Sequence, residues 1–166
     1  MLTARIGSLK ILMSQLLAGD MFDDFLLQEA TINTAVGYAI DGHLNMDFFP
    51  LSERNDSDHP YEFQPWSELK PIAFNLIKGK NMPTSFRFIL MLKPDKADAL
   101  LKKEYPDGDY SHVRALIINI RYDGENATVT SGTSYDTFVM DKTPDQIWDR
   151  TFLRFLGRYG VETEVL

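Results

Sequence analysis

The chain contains no cysteine, which removes disulfides, thiolate metal ligands and cysteine nucleophiles together. That usage suits a reducing compartment, and the cytoplasm is the expected location. No apolar run approaches the length a bilayer demands, so no membrane association is expected. The opening stretch MLTARIGSLKILMSQLLAGD places basic residues ahead of apolar ones, as a signal peptide would, but Ser14 and Gln15 interrupt the run. Asn126-Ala127-Thr128 matches the glycosylation pattern without a secretory route to use it. Positive charge is short as well: 17 Lys and Arg stand against 24 Asp and Glu, a formal charge of −7. Such a field opposes a polyanion at long range, which ranks nucleic acid behind other partners while leaving room for a local basic patch.

What is present is core material. A chain of 166 residues, 44% of them hydrophobic, suits one domain spanning residues 1–166 and buries roughly 70% of the surface its unfolded form exposes. Leu9, Leu12, Met13 and Leu16 fall on one face of a helix that Ser8 caps and Gly19 stops. From Leu26 to Ile40 apolar residues alternate with Glu29, Thr31 and Asn33, predicting one long half-buried strand, with a second strand after an Asp41-Gly42 turn. The stretch PLSERNDSDHPYEFQP is too polar and proline-rich for a regular element. Ser67 to Ile77 reads as a helix with Leu69, Ile72, Ala73, Leu76 and Ile77 inward, Pro71 being tolerable only in its first turn.

TSFRFILMLKP predicts a strand and DKADALLKKE a helix between Pro94 and Pro106. VRALIINIRY, ATVT and YDTFVM predict three further strands, the first two joined by a two-residue Asp123-Gly124 turn that pairs Ile120 with Ala127. Thr143-Pro144-Asp145-Gln146 supplies a cap, a first-turn proline and a capping-box glutamine for a last helix. Its stripe of Ile147, Trp148, Thr151, Phe152, Phe155 and Tyr159 needs an apolar sheet to cover it. The expected fold is therefore α+β, an antiparallel sheet of about six strands packed against this C-terminal amphipathic helix, with additional short helices.

Four stretches, FDDFLLQEATI, LNMDFF, WSELKPIAFNLIKGK and YDGENATVTSGTSYDTFVMDKTPDQIWD, together resemble a bacterial family of uncharacterised proteins built on a domain of unknown function. The resemblance spans most of the chain. It implies a bacterial cytoplasmic protein and carries no activity, ligand or catalytic residue with it.

Motifs with chemistry are few. Gly79-Lys80 lacks the partner residues of a phosphate loop, since Phe74 and Asn81 stand where glycine and a hydroxyl belong. SGTSYD lacks the second glycine of a nucleophile elbow, Asp136 taking its place, so Ser134 reads as a turn residue. In YAIDGHLNMDFF the face-matching register is a three-residue loop of Ile40, Asp41 and Gly42 pairing Tyr38 with Leu44. His43 and Asp47 then stand about 13 Å apart along the strand, too far to share one ion. No metal site and no cofactor is expected, and His43, His59 and His112 show no ligand spacing.

The leading functional expectation is a non-enzymatic binding or interaction domain, with another protein or a second copy of the chain as its partner class. One alternative is a small hydrolase or isomerase in which the loop between Pro50 and Pro65 gathers Asp41, His43 and His59. Another is phosphate or nucleic-acid contact through Arg150, Arg154 and Arg158, which recur at i, i+4 and i+8 on the last helix, although a solvated face explains the same stripe.

Overall fold

The computed structural model describes residues 1–166. Strand β1 (Leu2–Ile6) leads into α1 (Leu9–Leu17), and β2 (Phe25–Asn33) and β3 (Gly37–Asp41) follow. Two single 3-10 turns, Met46–Phe48 and Leu51–Glu53, precede α2 (Trp66–Ile77) and β4 (Ser85–Leu92). The chain then forms α3 (Pro94–Glu104), β5 (Val113–Tyr122), β6 (Ala127–Tyr135), α4 (Thr143–Arg158) and β7 (Thr163–Val165). The strands make one seven-stranded sheet in the order β3-β2-β4-β5-β6-β1-β7, every neighbouring pair antiparallel. The fold is α+β, as the run of hairpins and segregated helices predicts.

Alternation along the strands decides which face is covered. Phe86, Phe88 and Leu90 of β4, Ile118 and Ile120 of β5, and Val129 of β6 are buried in one 27-residue core cluster with Trp66, Trp148 and Phe152 from the helices. The opposite face carries Thr31, Arg87, Asn119, Arg121 and Thr130, all half-buried or exposed. At the helix starts, the Ser8 side chain accepts a bond from the Ile11 amide at 3.4 Å, and Pro94 sits in the first turn of α3, where its missing N–H costs nothing. Helix α4 is fixed to β6 by the Tyr135 hydroxyl, which donates to Asp145. Burial, reinforced by that carboxylate, raises the Tyr135 pKa, so the donor stays protonated across the neutral range.

Several expectations are corrected. The apolar alternation from Leu26 to Ile40 is not one strand but a hairpin, turning at Thr34-Ala35-Val36 with Ile32 opposite Tyr38 and Ala30 opposite Ile40. A turn of odd length keeps even-numbered residues facing even-numbered ones, so the pattern runs straight through it. There is accordingly no hairpin at Asp41-Gly42: Tyr38 does not meet Leu44, and Gly42 has no positive φ. The β5–β6 turn has four residues, with Tyr122 opposite Ala127 and Ile120 opposite Val129. Gly124 takes the positive φ (101°), but Asp123 does not. The Asp123 carboxylate instead accepts the Glu125 and Asn126 amides at 2.9 and 2.8 Å, closing the loop from the side chain.

YDTFVM is not a strand. β6 runs on to Tyr135, so Ser134 lies in a strand rather than a turn, and Phe138 and Met140 beyond it are each 86% exposed. Pro71 sits in the interior of α2, and Ile72 points outward at 51% exposure. The cap of α4 is Lys142, one residue early, with the Asp141 carboxylate receiving the Thr143 amide at 3.0 Å. β1, LTARI, is too short for its alternation to announce a strand. Its Ala4 and Ile6 are buried because β6 and β7 pair with it on either side.

Candidate binding cleft

Two β-bulges build the site. Between Leu27 and Glu29 the register of β2 slips against β4, leaving Gln28 as an extra residue. Between Val113 and Ala115 the register of β5 slips against β6, leaving Arg114. A bulge interrupts the ladder and re-aims the side chain it frees. Here both bulge residues line one cleft, of about 320 Å³, and Arg114 also borders a second depression beside Ala97 and Leu101 of α3. Leu26, Met91 and Ile117 supply apolar lining, Phe63 and Glu62 come from the crossing segment, and Ser134 from β6. Neither the Gln28 amide nor the Arg114 guanidinium makes a hydrogen bond or an ion pair within the chain.

A glycine lets that segment cross. The Gly42 amide donates to the Gln28 carbonyl at 3.0 Å, the Gln64 amide to the Gly42 carbonyl at 2.8 Å, and the Leu27 amide to the Gln64 carbonyl at 2.9 Å. A Cβ on residue 42 would lie 1.9 Å from the Leu27 carbonyl oxygen, a backbone atom with nowhere to go. Gly42→Ala is therefore expected to lower stability by about 1–3 kcal/mol, the usual cost of overpacking. It should also displace Glu62 and Phe63 from the cleft. Chemical denaturation measures the first effect and amide shifts at residues 62–64 the second; a wild-type midpoint would refute the crossing.

The sequence candidates separate. His43 and His59 line one neighbouring cleft of about 390 Å³, together with Arg54, Tyr61 and Glu62. The His43 Nε2 lies 3.2 Å from the Glu62 carboxylate, and its ring packs edge-on against Phe63 with centroids 5.2 Å apart. The His59 ring lies against Phe49 at 3.9 Å. Asp41 is outside this cleft, its carboxylate accepting the His43 amide at 2.9 Å. His112 is elsewhere, 2.9 Å from Asp136. No group of three His, Asp or Glu side chains is placed to hold a metal ion. On α4, Arg150 and Arg154 each stand 3.8 Å from Glu104 of α3, while Arg158 has no ion pair. Two of the three stripe residues thus tie one helix to another.

Gln28, Glu62 and Arg114 escaped the sequence reading, and the bulges show only once the inward face is known. Of the β2 residues in the core cluster, Phe25 and Leu27 are odd and Ala30 and Ile32 even, a change across Gln28, while Leu26 is buried on the other face. In β5 the first inward residue is Val113 and the next are Leu116 and Ile118, the same change across Arg114. A parity break inside an otherwise regular strand is what an inserted residue produces.

The fold and this cleft define an α+β domain whose antiparallel sheet is covered on one face and carries a small-molecule-sized depression on the other side, at one end. The chain belongs to a family of unknown function, DUF5721, whose model matches residues 15–164. No curated protein and no solved structure matches it. No helix is long and apolar enough to cross a membrane.

Proposed function

We propose that the chain is a non-enzymatic binding domain whose site is the cleft between the two bulges. The observation that supports this reading is the convergence itself. Two separate strands give up regular pairing, and each contributes a residue with an unpartnered polar side chain to the lining of one depression with an apolar floor. Its volume lies at the small end of the range for ligand sites, and its mix of apolar lining with a few polar groups is what such sites have in common.

The test is a thermal-shift screen of small metabolites, followed by titration of the hits. A ligand at a hundred times its Kd should stabilise the wild-type protein by about 2.7 kcal/mol. Gln28→Ala and Arg114→Ala should abolish that gain without moving the midpoint of the free protein. Hits indifferent to both substitutions would place binding elsewhere.

A second reading, a small hydrolase or isomerase, has one specific observation in its favour. His43 and Glu62 form a base oriented by a carboxylate, and His59 lines the same depression. Turnover of a hit compound that disappears in His43→Gln would favour this reading over simple binding.

A further inference from the structure

We infer that the ligand of this cleft is an organic monocarboxylate with an apolar body, its carboxylate held by Arg114. This deepens the binding reading above and rests on it. The Arg114 guanidinium is exposed and has no carboxylate partner in the chain. Its planar fork matches a carboxylate through two parallel hydrogen bonds. Gln28, freed by the other bulge, brings amide donors to the same cleft. Pro94, in the first turn of α3, lines it too, and the Lys93 cap offers no side-chain bond to the helix amides. The positive end of the helix dipole therefore stands at the rim, where it favours a negative group. Asp95 in that first turn accepts the Tyr61 hydroxyl at 2.9 Å and keeps its charge, which offsets part of that field and leaves Arg114 as the principal anchor.

Charge also limits the ligand. Glu62 lines the cleft, and the chain as a whole carries −7. Ligand charge multiplies the attraction to Arg114 and the repulsion from Glu62 alike, so a cleft with one cation and one carboxylate offers a second negative charge no net gain, while stripping water from a dianion such as a phosphate monoester costs more than from a monoanion. Met91, Ile117 and Phe63, backed by the buried Leu26, leave an apolar surface for the rest of the molecule, and the methionine adapts its shape to different bodies.

Three acids serve as probes, hexanoate, phenylacetate and indole-3-acetate, each against its own primary amide and against hexyl phosphate, in two-dimensional amide NMR titrations of the full chain. The acids should shift the amides of Gln28, Met91, Arg114 and Ile117 saturably, binding about tenfold or more tighter than their amides, the factor a charge-assisted hydrogen bond supplies. Arg114→Gln should erase that preference, and Arg114→Lys should keep part of it; both sit on the surface, and an unchanged spectrum elsewhere verifies their folds. Amides binding as well as acids, hexyl phosphate binding tighter, or an acid preference that survives in Arg114→Gln would overturn the carboxylate assignment while leaving a binding cleft. No probe shifting any of these four amides would overturn both.

Discussion

Trp66→Ala should cost about 3–5 kcal/mol for the cavity alone, the usual range for deleting a buried aromatic side chain. Trp66 is fully buried, its ring edge-on to Phe88 with centroids 5.4 Å apart. Truncation does further damage, because the indole Nε1 donates to the Leu16 carbonyl at 2.9 Å. Leu16 lies in the last turn of α1, where carbonyls have no intrahelical donor. Leaving it unsatisfied in the core adds on the order of 1–3 kcal/mol. Against a total stability of about 5–15 kcal/mol, the combined loss is enough to unfold a marginal domain. Trp66→Phe keeps an aromatic ring in the site while removing the donor and the rest of the indole, so its loss sets an upper bound on the hydrogen bond. Guanidinium unfolding should rank wild type above Trp66→Phe, and Trp66→Phe above Trp66→Ala. A midpoint for Trp66→Ala equal to wild type would refute the docking of α1 and α2 through this side chain.

Trp148→Ala and Phe152→Ala should each cost about 3–5 kcal/mol for the same reason. They are 2% and 0% exposed, and their rings stack at 5.7 Å. From them an aromatic chain continues through Phe155 to Phe22 and Phe25, which join α4 to the segment after α1 and to the start of β2. Trp148 also donates its Nε1 to the Ile117 carbonyl at 2.9 Å, gripping the strand whose side chain lines the cleft from the other face. Because the two rings touch, the double variant should lose less than the sum of the singles, each truncation having already removed part of the other's contacts. Strict additivity would mean that the pair does not pack as described.

The last helix, the α+β class and the strands over β4 and β5 are legible in the sequence because local chemistry dictates them. Pro144 and the stripe from Ile147 to Tyr159 need no distant partner to announce a helix. VRALIINIRY has the alternation of a strand wherever it lies in the sheet. The sequence reading pointed to His43 and His59, which line the neighbouring cleft, and it missed Gln28, Glu62 and Arg114 of the candidate site. The two bulges stay hidden because each adjoins consecutive apolar residues, Phe25 to Leu27 and Ala115 to Ile118, whose inward members are chosen only by packing.

The sequence by itself determined the inventory: which segments are amphipathic, at what period, and therefore which faces seek burial. Tertiary structure alone decided the pairings. LTARI is a strand because β6 and β7 flank it, and Gly42 serves a backbone crossing rather than the turn its Asp-Gly dipeptide suggests. Gln28 and Arg114, far apart in sequence, line one cleft across the intervening β4. The physical reason is range. Helix periodicity and capping act over a few residues, whereas a strand's neighbours, a chain crossing and a cleft depend on which distant segments share the core, and the odd-length turn at Thr34-Ala35-Val36 shows that one alternation can serve two different pairings.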